Sequence, residues 1–464
     1  MTSSGLCFAL WGFVLLTACA CGGSRGSKSA QSDDVQALLA SLAPDKLPAP
    51  PPDVSNRWAD DPAAARFGQT LFFDPGFAGA LLDPDNVGDP STLGIVGDTG
   101  KVACAGCHVP EAGFVDVRSP RKTISLAAGW GKRRAKPLLD VGQAKLLMWD
   151  GLHDALYNQP FTPFETAVEI NSSRLFVAER VYTEYRALYE GIFGAIPAPL
   201  DDASRFPQLS AAQTGCRTLT TSTDGNDTTG SDCHGMPGDQ AEYDGLAEGD
   251  KDIVTRVVVN LGKALGAYER LLSCGPGRFD AYVHGDKTAL SDAEVRGAEL
   301  FVGKAACLQC HAGPFFSDQQ FHNIGVAPGG VGAAGRAYDT GDHGAATGLK
   351  TLLADPLNVK GNYSDGDDGR LPATIPDAMD GAFRTQSLRC VSSRPSFMHT
   401  GHLHALADVV ALFARGGDAT GYEGKSENFN RHLSNDEQAD IVAFLSSLDG
   451  PGPAAELLRR PSSP

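Results

Sequence analysis

Two short strings constrain this chain more than anything else in it: Cys104-Ala105-Gly106-Cys107-His108 and Cys307-Leu308-Gln309-Cys310-His311. Each reads Cys-x-x-Cys-His, the pattern through which haem c is attached. Two thiols three positions apart reach the two vinyl groups of one porphyrin, and the adjacent imidazole falls on the iron. Cys104, Cys107, Cys307 and Cys310 are therefore expected to carry two covalent haems, with His108 and His311 as proximal iron ligands. A zinc knuckle would need further Cys or His at close spacing, and a thioredoxin-type dithiol has no need of the His.

The N-terminus bears on the compartment. Leu6 to Leu16 form an apolar run too short to span a bilayer as a mature helix, so residues 1–18 read as a signal peptide. Leu16-Thr17-Ala18-Cys19 matches a bacterial lipobox, which predicts cleavage before Cys19 and a lipid on that thiol; Met1 to Gly5 contain no Lys or Arg, so simple secretion is the alternative. The expected location is the periplasm, with the membrane touched only through the lipid. The Gly-, Ser- and Pro-rich stretch that follows reads as a flexible tether over 19–55. Setting aside Cys7, Cys19, Cys21 and the four haem thiols leaves Cys216, Cys233, Cys274 and Cys390. Spare thiols outside the cytoplasm tend to pair, which predicts Cys216 with Cys233 and Cys274 with Cys390.

The rest of the chain is ordinary globular material, and 464 residues are enough for at least two cores. A formal net charge of −17 argues against nucleic acid as a partner. Phe67-Gly-Gln-Thr-Leu-Phe-Phe-Asp before the first Cys-x-x-Cys-His string and Arg296-Gly-Ala-Glu-Leu-Phe-Val-Gly-Lys before the second suggest a duplication. Each half resembles a cytochrome c domain. The expected fold class is mainly α, with two such haem domains in tandem and long irregular loops: an N-terminal peroxidatic domain over 56–250, a C-terminal electron-transfer domain over 251–450 and a tail over 451–464. Residues 198–250, rich in Thr, Ser, Gly and Asp, read as a polar insertion. Apolar spacing predicts helices over Asp252–Leu272 and over Asp436–Leu448, the latter behind caps at Ser434 and Asn435. No convincing run of alternating strands is present.

Several stretches in order, Cys104 to Asp116, Trp149-Asp150-Gly151, Gln159 with Glu169, Arg296 to Asp318 with Phe321-His322-Asn323-Ile324-Gly325, and Ser387-Leu388-Arg389 leading to Met398-His399-Thr400-Gly401, resemble the bacterial di-haem cytochrome c peroxidase and MauG family over roughly residues 56–450. The resemblance implies that the N-terminal haem meets hydrogen peroxide and the C-terminal haem exchanges electrons with a small redox protein or a substrate protein. It implies a distal pair, Glu169 and Gln159, a tryptophan between the haems, Trp149, and a possible homodimer. The chemistry fits, because splitting an O–O bond needs a base that moves a proton between the two oxygens.

Three departures stand out. Residues 118–131 contain no His, although many family peroxidases carry one there that blocks the resting iron. This predicts an open first haem, as in MauG-like or MbnH-like members that oxidise a partner's tryptophan. The position of the family's axial Met or Tyr on the second haem reads Phe413, which cannot ligate iron; Met398 is the expected substitute, with His402, His404 or an empty sixth site as alternatives. Positions that contribute to the family's inter-haem calcium site read Arg134 and Arg394, so calcium is expected to be absent. A non-catalytic electron carrier is the third functional class, and it has no use for a distal proton shuttle.

Overall fold

A glycine at each of two helix crossings organises the molecule. In the computed structural model, which describes residues 26–118, 124–221, 228–327 and 341–462, α1 spans Gly26–Leu42, α2 Pro62–Phe72 and α3 the four residues Cys104–Cys107. Then come α4 (Phe161–Glu165), α5 (Arg174–Glu184), α6 (Arg186–Phe193), α7 (Glu248–Glu269) and α8 (Arg278–Val283). The last third carries α9 (Asp292–Val302), α10 (Ala345–Ala354), α11 (Leu406–Arg415) and α12 (Asn435–Ser446). The chain is mainly α.

Helix α2 starts where Asp61 accepts hydrogen bonds from the backbone N–H groups of Ala63 and Ala64, with Pro62 in the first turn. It crosses α7 so closely that a Cβ on Gly68 would lie 1.9 Å from the carbonyl oxygen of Ala264. Helices α9 and α12 both start with Ser–Glu capping boxes, Ser291 with Glu294 and Ser434 with Glu437. They cross at Gly297, where a Cβ would lie 2.0 Å from the carbonyl of Asp440. Only glycine permits either approach. Around the first crossing lies the larger core, which takes in Phe67, Phe72, Tyr157, Phe206 and Tyr268. Around the second lies a smaller one with Phe279, Phe301, Phe316 and Phe444.

Both expected long helices form: α7 covers most of Asp252–Leu272, and α12 begins behind Ser434. Helix α7 packs against α2 in the larger core, which takes in residues from both halves of the chain, among them Phe321, Leu349 and Cys390.

The segment expected as a tether differs. Its residues Gly26–Leu42 are helical, and Leu39, Leu42 and Ala43 are buried in the smaller core. The expected signal peptide, 1–18, and Cys19 lie outside the described residues. Inside the polar insertion, β1 (Gly215–Thr221) and β2 (Thr228–His234) form an antiparallel hairpin in which Cys216 faces Cys233. Those two cysteines form a disulfide, as do Cys274 and Cys390, both as expected. A second short ladder pairs β3 (Phe321–His322) with β4 (Phe383–Arg384). The expected tail turns back onto the first crossing: Gln69 donates to the carbonyls of Glu456 and Arg459, and Tyr268 Oη donates to that of Leu457. Among the described residues no helix is long and apolar enough to cross a membrane.

Candidate haem sites

Both Cys-x-x-Cys-His strings present their histidines in the same way. Cys104–Cys107 forms one helical turn and His108 follows as its cap; Cys307–Gln309 forms a 3-10 turn ahead of Cys310 and His311. His108 Nδ1 lies 3.1 Å from the carbonyl oxygen of Phe114, and His311 Nδ1 lies 2.7 Å from that of Phe316. A backbone carbonyl only accepts, so Nδ1 carries the proton in each ring and Nε2 is left as a lone-pair ligand. Burial holds both imidazoles below their ordinary pKa, which keeps them in the neutral form that binds iron. Both phenylalanines sit in the left-handed region, Phe114 at φ 60° and Phe316 at φ 52°, and both are fully buried. Packing holds a backbone that a bulky side chain disfavours.

The cavity beside the first string is about 600 Å³. Its walls include Phe72, Leu138, Leu147 and Leu265, and Cys104, Cys107 and His108 line it on one side. Apolar walls, two thiols and an imidazole with a free Nε2 are the donor set that a covalent haem requires, so the residues present fit the group.

Glu169 and Gln159 line this same cavity. The turn after α4 positions Glu169: its N–H donates to Thr166 and its carbonyl accepts from Ala128. Burial lifts its carboxyl to about 7, with no cation offsetting the desolvation. Gln159 Nε2 lies 3.6 Å from Met148 Sδ. A half-protonated carboxyl near neutral pH is suited to take up and release a proton.

Sequence reasoning did not single out Glu269, which is buried, lines the cavity and is pushed up to about 8 by burial. The available signal was a carboxylate four residues after Leu265 on the apolar stripe of α7. Trp149 also lines the cavity: its Nε1 donates to the carbonyl of Arg134 at 2.9 Å, and its ring lies 6.5 Å edge-on from that of His399. His399 in turn stacks on Phe383 at 3.7 Å and is held neutral by burial, with its pKa near 3.

Around the second string, Phe301 lies 6.4 Å from the His311 ring, and Arg431 donates to the carbonyls of Ala305 and Phe413. Met398 is half-buried in a left-handed turn at φ 67°, next to the buried His399. His402 Nδ1 is bonded to Thr400 Oγ1, and His404 is exposed. Arg134 and Arg394 are both buried. Arg134 donates to the carbonyl of Asp116, and Arg394 to those of Ser387 and Arg389.

Comparison with known proteins adds four findings. The family model described as di-haem cytochrome c peroxidase matches residues 62–252. Methylamine utilization protein MauG of Methylorubrum extorquens is 25% identical over 460 residues, covering 97% of this chain and 95% of that protein. Cytochrome-c peroxidase IdrP1 of Denitromonas iodatirespirans is 27% identical over 369 residues, with 75% and 76% covered. Among solved structures, a MauG-like protein associated with microbial copper homeostasis shares the fold at TM-score 0.55 and 21% identity, over 90% of this chain and 96% of that one.

Proposed function

We propose that this chain, a di-haem oxidoreductase of the cytochrome c peroxidase and MauG family, reduces hydrogen peroxide at the haem of Cys104, Cys107 and His108 and draws the electrons through the haem of Cys307, Cys310 and His311. The reading is carried by one observation: Glu169 and Gln159 share a cavity with His108 and both thiols of the first string.

Bound haem supplies the redox chemistry by which peroxide accepts two electrons and, with two protons, becomes two waters. Glu169 takes a proton from one peroxide oxygen on its carboxylate and returns it to the departing oxygen. Gln159 presents an amide that orients the peroxide. His108, with its Nδ1 proton fixed on Phe114, holds Nε2 toward the metal throughout. Trp149, between the cavity and His399, is the relay residue for electrons. Met398 would supply a thioether to the second haem in this reading. The protein works in the periplasm, held by a lipid on Cys19.

The sequence of residues 118–131 favours a second source for the electrons. With no His there to occupy the first iron, peroxide reacts without prior reduction, and a tryptophan of a partner protein then supplies the electrons, as a MauG-like or MbnH-like enzyme would require. One spectrum separates the two readings. A high-spin component in the resting ferric protein, and an immediate change on adding one equivalent of peroxide without reductant, supports partner oxidation. Two low-spin haems that respond only after an electron is added support the peroxidase with a small redox donor.

A further inference from the structure

Two buried cations stand without a carboxylate bonded to them. Lys136 and Arg384 are 7% exposed each, and among the described residues neither forms an ion pair with a carboxylate. Lys136 Nζ donates to the neutral carbonyl of Met148 at 2.8 Å. Arg384 donates to the neutral side chain of Gln319, and its Nε has no hydrogen-bond partner. The two cations are near enough to repel one another.

Asp150 acts on Lys136 only through space, because it pairs with Arg133, whose guanidinium holds Asp150 at 2.5 Å and Asp342 at 2.6 Å. Burial lowers Lys136 well below an ordinary lysine and Arg384 to about 10. An uncompensated buried ion of either kind is strongly destabilising, and two side by side more so.

The position of these cations identifies the missing anions. Lys136 lines the first cavity. Arg384 lies in β4, paired with Phe321 ten residues after His311. Both are stitched to the tryptophan segment, since the Arg384 N–H donates to the carbonyl of Trp149 and Lys136 to that of its neighbour Met148. The carboxylates absent from the chain but brought by a porphyrin are its propionates.

We propose that Lys136 and Arg384 form a propionate-binding seam, in which side-chain cations, with no divalent metal, neutralise haem carboxylates on either side of Trp149. The proposal rests on the di-haem reading above. Charge-assisted hydrogen bonds of this kind are strong and directional, so they fix the tilt of each haem as well as its charge.

The test uses the full-length protein with haems attached, counted by pyridine haemochrome; fewer than two per chain would overturn the di-haem reading itself. In spectroelectrochemical titrations, Lys136→Met and Arg384→Met are each expected to shift one haem midpoint downward, because removing a nearby cation favours the ferric state, and Lys136→Arg is expected to restore it. Metal analysis of the wild type is expected to find no stoichiometric calcium. Midpoints that superimpose on wild type in both methionine variants, or tightly bound calcium, would overturn the proposal. If a variant fails to accumulate with two haems, resonance Raman of the wild type decides. Propionate modes unmoved down to about pH 3 support the seam, and titration in the ordinary carboxyl range of about 4 to 5 defeats it.

Discussion

The two Cys-x-x-Cys-His regions share a frame and differ in what the frame encloses. Each backs its string with a crossed helix pair that closes on a glycine, Gly68 or Gly297, and each fixes its histidine on the carbonyl of a buried, left-handed phenylalanine. Only the first sets two buried carboxyls, Glu169 and Glu269, into the cavity wall. At the second, Phe301 lies beside the histidine, Asp318 and His322 lie next to Cys310, and Arg431 is bonded to backbone carbonyls. Under the proposed function, the frame serves attachment and ligation, and the lining serves reactivity.

The sharpest way to break this division is Glu169→Gln. Peroxide turnover is expected to fall about 10²- to 10⁴-fold, as for loss of a general base, with both haem spectra retained; stopped-flow rates on the pre-reduced protein measure it. A change under threefold would mean that the lining does not set the difference. Next comes the frame. Gly68→Val and Gly297→Val each drive a side chain into a helix carbonyl and are expected to cost about 3 kcal/mol, read from denaturant midpoints. Losses that are equal in the two would sharpen the likeness, and a harmless substitution at either position would break it.

A smaller effect follows from the carboxyl of Glu169, lifted to about 7. The proton acceptor is the ionised form, so the reaction with peroxide is expected to be level above that value and to fall about tenfold for each pH unit below it. A profile flat from pH 5 to 8 would remove Glu169 from the role. The smallest effect belongs to Trp149→Phe, which gives up the bond to Arg134 and is expected to cost about 1 kcal/mol of stability.

Much of this was legible in the sequence because it rests on spacing. The thiols, the proximal histidines, the helices behind Ser434 and over Asp252–Leu272, and both disulfides follow from local pattern or cysteine bookkeeping. Gln159 and Glu169 came from family spacing, and the cavity contains both. What was missed depends on contacts between distant segments. The region 19–55 has a linker's composition, yet Leu39, Leu42 and Ala43 find a core supplied largely by residues 279–448. The Thr-rich hairpin of β1 and β2 has polar side chains on both faces and so no alternation to detect; its register rests on paired threonines and the Cys216–Cys233 bond. Glu269 and Lys136 resemble surface charges until the fold encloses them.

The contacts of residues 456–459 with Gln69 and Tyr268 bear on how the protein is made. Gln69 meets Glu456 across 387 positions of chain, so the helix pair behind the first Cys-x-x-Cys-His string gains its last hydrogen bonds only after the second string has been made. The support of the earlier string is therefore completed only after the later one has been synthesised. A chain that stalls between the two strings would leave the helices behind the first one without these bonds.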